Sequence, residues 1–415
     1  MGRTFAEKIL GRAAATEVAA GDTVLVEPDL VLTHDDSGMI IEEAGRILAG
    51  ASPARPDRIA IALDGRIPAA GPDEAALHRK IREYASRNSI RGFFDLGSGL
   101  CHHAIPESGM CFPGGLVLGT DESVAVLGAF GCLTASIDAR TAAALWAGGR
   151  WEARVPESVC INLSGGLGRR VSAKDFAMAL IGDSGKGWAA SRTVEFHGPG
   201  VSSLRMSERM TVAGMCPATG AVSAVFPADG QTSDFFRERG AGCSMAVWSD
   251  HDAVFASILD FDLESLEPLI AGPGFSIAPV RELAGTRIDQ VLLGTCTNGR
   301  LEDLQAAASI LRGRKVSRGT RLLVAPASRE TMLEAIRIGC LKDLVEAGAT
   351  VLPPGSEPGP SAGFGALAPG ETCLSTGSRP APASDTGGPP AVFLASPETA
   401  AVTALTGAVA DPRSF

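Results

Sequence analysis

Short apolar runs alternate with amphipathic stretches of helical length along nearly the whole chain, and this alternation constrains the fold more than any other feature. Residues 59–63 (IAIAL), 159–163 (VCINL), 289–294 (DQVLLG) and 320–325 (TRLLVA) are too short for helices and read as strands buried on both faces. Residues 38–48, 74–87, 172–181, 301–311 and 329–339 carry apolar side chains at helical spacing. A strand–helix–strand repeat of this kind buries its apolar faces only as layers, so the fold class is α/β, with mixed sheets flanked by helices. Thr4 and Glu7 have the spacing of a capping box and open a helix over residues 4–14. Two stretches break the pattern. Residues 229–242 are polar and read as a surface insertion, and residues 266–280, with Pro268, Gly272, Pro273, Gly274 and Pro279, read as a linker.

Composition removes several classes of function. Acidic residues outnumber basic ones by 47 to 37, so the chain is a poor counterion for phosphates and nucleic acid is not expected as a partner. Aromatics are sparse, with one tyrosine, which leaves little for bases to stack on. Uncharged apolar stretches such as residues 124–133 fall well short of the ~20 residues a spanning helix needs, so no membrane is expected. The first residues carry charges every few positions and have no apolar signal core. Nine cysteines without a CxxC pair fit a reducing compartment, and a cytoplasmic location is expected.

Several segments, taken in order, carry a resemblance: residues 4–10 (TFAEKIL), 93–102 (FFDLGSGLCH), 128–131 (GAFG), 209–211 (RMT), 288–304 (IDQVLLGTCTNGRLEDL), 326–329 (PASR) and 394–397 (LASP). Together they resemble the large subunit of 3-isopropylmalate dehydratase and homoaconitase, in the aconitase superfamily. The resemblance implies three α/β domains around a cleft, at residues 1–158, 159–283 and 284–415. It also implies a swivelling fourth domain, absent here and supplied by a separate small subunit. The reaction it implies removes and re-adds water on a small hydroxy acid, with an iron of a [4Fe–4S] cluster as Lewis acid and three thiolates as its anchors.

The same resemblance assigns the site. Cys296 in Thr295-Cys296-Thr297-Asn298 is the one cluster thiolate retained, whereas Ser356 and Gly359 stand where the other two belong, so neither metal nor cofactor is expected. Asp64 keeps the acid of an Asp-His pair whose imidazole position is Gly65. Placed in the family's cleft, His102, Asp121 and Cys296 form an imidazole, carboxylate and thiol set suited to nucleophilic catalysis. Arg379 and Arg300 offer forks for a substrate carboxylate, Thr297 and Asn298 adjoin them, and His34-Asp35 matches a substrate-side loop. His103 is read as pointing away from the site. The first reading is therefore an enzyme repurposed to act on a small carboxylic acid without a cluster, through Cys296, His102 and Asp121. A hydro-lyase or isomerase using another metal or none is the second, and a non-catalytic partner subunit the third.

Overall fold

The Thr4 hydroxyl accepts the Glu7 N–H while the Glu7 carboxylate accepts the Thr4 N–H at 2.8 Å, so the expected capping box does start the first helix, Phe5–Ala14. The computed structural model describes residues 2–183, 187–243, 247–356, 364–380 and 391–415. Helices Ser37–Leu48 and Pro72–Arg87 connect the first strands of a five-stranded parallel sheet. Its order is Gly92–Phe94, Ile59–Ala62, Leu30–Thr33, Leu116–Gly119, Leu133–Ser136. The chain therefore grows outward on one side of Leu30–Thr33 and then returns to its other side. A crevice opens at such a reversal, beyond the carboxyl ends of the strands. His34, Asp64 and Asp121 all lie just past strand ends facing it.

A four-stranded parallel sheet follows, in the order Ser223–Val225, Thr193–His197, Ser158–Ser164, Ser257–Asp262. The first two sheets share one core rather than owning one each. Leu30, Leu32, Val126 and Phe130 belong to the same buried cluster as Val159, Ile161, Phe196 and Phe226. The segment that joins them is the 3-10 helix Glu122–Phe130, buried over Val124–Phe130. Gly128 is required there: a Cβ would stand 1.9 Å from the Ala224 carbonyl oxygen.

The third sheet has seven strands: Ser276–Pro279, Leu269–Gly272, Ala391–Ala395, Thr372–Ser375, Gln290–Gly294, Arg321–Ala325 and Ala349–Val351. Its last five strands are parallel, and Val291, Leu293, Leu304, Val324 and Leu344 fill one core against its helices. Two expectations change here. The stretch read as a linker is an antiparallel hairpin at the sheet edge, Leu269–Gly272 with Ser276–Pro279, turned by Gly274 at φ +72°. Its prolines sit at strand ends and on the edge strand, where a missing N–H costs nothing. The boundary at residue 283 therefore falls inside the third sheet's territory. The supposed insertion at 229–242 holds the helix Gly230–Glu238, capped by Asp229, whose carboxylate also grips the buried Arg209 at 2.9 Å.

Candidate active site

At the strand-order reversal lies a cavity of about 580 Å³ lined by His34, Asp35, Asp64, Arg66, His102 and Asp121, among others. The Asp64 carboxylate is buried and does two things. One oxygen meets His34 Nδ1 at 2.9 Å and the other accepts the Cys101 N–H at 2.8 Å. Cys101 Sγ lies 3.5 Å from each ring nitrogen of His34. Burial pushes the Cys101 thiol up to about 12. Burial alone would lower His34, but Cys101 and Asp64 outweigh it and hold the ring well above the ordinary histidine range. His102 is the opposite case: burial pushes it down to about 4, so its ring is neutral at pH 7. His102 Nδ1 lies 3.7 Å from Cys101 Sγ, and the buried Nε2 has no hydrogen-bond partner. Asp121 accepts the Ser123 N–H at 2.6 Å, and its carboxylate lies close enough to raise His102. The hydrogen bond between His102 and Asp121 that the resemblance implies is not formed.

A second cavity, of about 400 Å³, shares Asp121 and Ser123 with the first and is lined further by Cys296, Thr297, Ser378 and Arg379. Cys296 Sγ is 3.5 Å from Thr297 Oγ1 and 3.8 Å from Ser378 Oγ. The imidazole that meets this segment belongs to His103, whose Nε2 lies 3.2 Å from the Cys296 carbonyl oxygen. His103 lines neither of these two cavities and meets the segment at its backbone. Arg379 is exposed and ion-paired to Glu122 at the cavity rim. Asp35 accepts the Arg66 N–H at 3.0 Å, and burial raises it to about 6. Asn298 donates to Asp303 at 2.9 Å and to Thr211 at 3.3 Å, holding the turn behind Cys296. Arg300 lines neither of these two cavities. Its guanidinium is buried, donates to Thr297 O at 2.6 Å and Thr211 Oγ1 at 2.9 Å, and lines a separate cavity with His103 and Glu107.

The segment Pro326-Ala327-Ser328-Arg329 locks the two thiol-bearing loops together. Ala327 O accepts the Leu100 N–H at 2.9 Å, Ala327 N–H reaches Gly299 O at 2.8 Å, and Arg329 N–H reaches Ser98 O at 3.0 Å. Sequence reasoning also missed Lys174. This lysine is fully buried, lowered by desolvation to about 7, and donates to Thr376 O at 2.7 Å and to Gly377 O, fixing the turn that carries Ser378 and Arg379. A Lys174-Asp175 pair opening a helical stretch that is apolar from Phe176 to Ile181 was the signal available for it.

Ser328 also donates to Glu107 at 2.6 Å, and burial raises this glutamate to about 8. Between its ordinary value of 4.5 and about 8 the folded chain holds a proton that the unfolded chain has lost. Stability therefore falls as pH rises through that window, by at most about 1.4 kcal/mol per pH unit. Glu107→Gln removes this component, which urea midpoints across about pH 5 to 8 will show as a flatter profile than the parent's.

The donors present can be compared with the cluster that the resemblance implies. Cys296 offers a thiol to the second cavity, the Ser356 hydroxyl is turned to Pro353 O at 2.7 Å, and Gly359 lies outside the described residues. The group of three donors assembled among the described residues is His34, Asp64 and Cys101. This mixture of nitrogen, oxygen and sulfur suits one ion rather than a cage of three thiolates.

The profile of the aconitase family (aconitate hydratase) matches residues 7–278 and 274–407. The homoaconitase large subunit of Thermus thermophilus is 38% identical over 420 residues, covering 100% of this chain and 98% of that one. The 3-isopropylmalate dehydratase large subunit 1 of Methanopyrus kandleri is 36% identical, with 100% of both chains covered. The 2,3-dimethylmalate dehydratase large subunit of Eubacterium barkeri is 35% identical, with 99% of each covered. Among solved structures, Thermococcus kodakaraensis aconitase X in its holo form aligns with TM-score 0.47 and 14% identity over 85% of this chain and 84% of that one. The expectation of a site without a cofactor is corrected by these matches, because homologues in this family normally bind an iron–sulfur cluster. That expectation rested on Ser356 and Gly359; the fold also sets Cys101 beside histidines in the cleft. Matched by the family profile over almost its whole length and by relatives end to end, the chain belongs to the aconitase family.

Proposed function

We propose that this chain is the large subunit of a hydro-lyase acting on a small hydroxy acid, completed by a small-subunit partner. The observation that carries the reading is the pair of adjoining cavities sharing Asp121 and Ser123. One presents His34, Asp64 and His102; the other presents Cys296, Thr297, Ser378 and Arg379. Elimination of water needs a base for the C–H proton, an acid for the departing hydroxyl and a cation for the carboxylates. His102 is the base, through its unpartnered Nε2. Asp121 keeps negative potential against that ring, and Arg379 with the Thr297 and Ser378 hydroxyls receives a carboxylate. His34 and Asp35 line the substrate's hydroxyl side. Cys296 stands at the wall of the second cavity, and Asn298 holds its turn. A metal centre in the cleft, when bound, supplies Lewis acidity toward the hydroxyl and a carboxylate. The compartment is read as the cytoplasm. The domains are read as three units, with the last beginning near residue 266, where the hairpin joins the third sheet.

Three relatives matching end to end are named dehydratase or homoaconitase large subunits, and this supports the reaction class. The test is to produce the chain together with a small-subunit homologue and supply 3-isopropylmalate, 2,3-dimethylmalate and related hydroxy diacids. Ultraviolet absorbance of the conjugated unsaturated acid is expected with at least one of them. If none yields it, and none exchanges its C–H proton for deuterium in heavy water, the reading is wrong.

A further inference from the structure

We infer that His34, Asp64 and Cys101 form a site for a single divalent transition-metal ion at the floor of the larger cavity. The inference concerns binding alone and stands whether or not the hydro-lyase reading does. The three ligating atoms lie within 4.8 Å of one another. They come from three adjacent parallel strands of the first sheet, just past the ends of Leu30–Thr33 and Ile59–Ala62 and in the loop-to-helix turn after Gly92–Phe94. Their backbone is therefore set by sheet register before any ion arrives.

The spacing suits the chemistry. With metal–sulfur near ~2.3 Å and metal–nitrogen near ~2.0 Å, tetrahedral geometry puts the two donors roughly 3.5 Å apart. Cys101 Sγ is 3.5 Å from His34 Nδ1, the ring nitrogen that also faces Asp64. Asp64 and His34 Nδ1, at 2.9 Å, need to separate by a few tenths of an ångström to admit an ion between them. Asp64 is itself anchored by the Cys101 N–H, so carboxylate and thiol move as one unit.

A further feature marks the cavity as a place for a ligand. The buried His102 Nε2 lacks a hydrogen-bond partner, and His102 lines the wall that His34 and Asp64 share. The wall also carries Asp121, and among the described residues Arg66 is its one arginine or lysine. Two anionic ligands, an aspartate and a thiolate whose proton leaves to solvent on binding, balance a doubly charged ion. A sulfur, an imidazole and a carboxylate select borderline metals such as Zn²⁺, Fe²⁺ or Co²⁺ over Mg²⁺ or Ca²⁺. Three protein ligands leave a coordination position toward the cavity.

Cobalt provides the readout. The full chain, stripped with chelator and titrated with Co²⁺, is expected to take up one ion per chain and to develop a near-ultraviolet thiolate-to-cobalt band with strong tetrahedral visible bands. Cys101→Ser is expected to abolish the thiolate band, and His34→Ala to weaken uptake at least tenfold, while Cys296→Ser keeps both. Circular dichroism and the thermal midpoint of each metal-free variant separate lost binding from lost folding, and His34→Gln serves if His34→Ala does not fold. A thiolate band that survives Cys101→Ser, or disappears with Cys296→Ser, overturns the assignment. So does a purified chain whose iron is accompanied by inorganic sulfide and is lost with Cys296→Ser but not with Cys101→Ser.

Discussion

Replacing Gly294 by alanine is expected to destabilise the chain by about 3–5 kcal/mol and to disturb the thiol two residues on. Gly294 ends the strand Gln290–Gly294 and opens the turn into Thr295–Asn298, with φ +125° and ψ −139°. That region of backbone space is essentially reserved for glycine, and an L side chain there costs about 1–3 kcal/mol. Space is also lacking. A Cβ would stand 2.0 Å from the Ala325 carbonyl oxygen and 2.7 Å from its carbon, both backbone atoms of the neighbouring strand. Forcing them apart costs about 1–3 kcal/mol more. Thr376 brackets the same residue, accepting the Gly294 N–H at 2.8 Å and donating to its carbonyl at 3.1 Å. The turn therefore cannot relax without releasing Thr376 and, with it, the Ser378–Arg379 segment. Urea unfolding will measure the loss, and the labelling rate of Cys296 will report the displaced turn. A change of less than about 1 kcal/mol with an unaltered labelling rate would show that the turn tolerates a side chain.

The same turn shows what the sequence made legible. Residues 288–304 read as a strand, a tight turn and a helix, and the structure has all three, because an apolar run, a glycine and an amphipathic stretch leave few alternatives. Local signals failed where the answer was long-range. The hairpin Leu269–Gly272 with Ser276–Pro279 carries linker composition, and only its pairing with Ala391–Ala395, more than a hundred residues away, makes it sheet. Asp229 looked like one more polar residue until Arg209 met it. In the site, His34, Asp64, His102 and Asp121 were each singled out, yet their partners were not. Asp64 pairs with His34 rather than with a neighbour in sequence, Cys101 joins them, and His103 rather than His102 meets the Cys296 segment. Adjacent histidines on a short helix point to different walls, and nothing in the order of residues says which wall holds the substrate. Arg300 lies apart from both cavities for a similar reason: its position before Leu301–Leu311 turns the guanidinium back toward Thr211.

His102→Asn is expected to lower turnover of the assembled enzyme by about 10²–10⁴-fold, the usual worth of a positioned base, while the Michaelis constant moves by only a few-fold. His102 is buried on a helix that starts at Cys101, and its Nδ1 lies beside the Cys101 sulfur, which fixes the ring plane. Its Nε2, without a protein partner, belongs to a ring that lines the cavity where the hydroxy acid is proposed to sit. An unpaired buried nitrogen costs stability, roughly 1–3 kcal/mol. A structural role alone would be filled as well by a group that demands no partner. Asparagine keeps a polar side chain of lesser reach and cannot accept a proton, so it separates base chemistry from packing. Deuterium exchange at the substrate carbon supplies a readout that packing does not move: it should vanish with His102→Asn while substrate binding persists. His103→Asn, by contrast, removes the contact to the Cys296 carbonyl and should act through the turn, shifting stability and binding together. If exchange continues at the parent rate in the His102 variant, the base lies elsewhere. His34, Cys296 and the carboxylates Asp35, Asp64 and Asp121, which also line the two cavities, would then be the next to test.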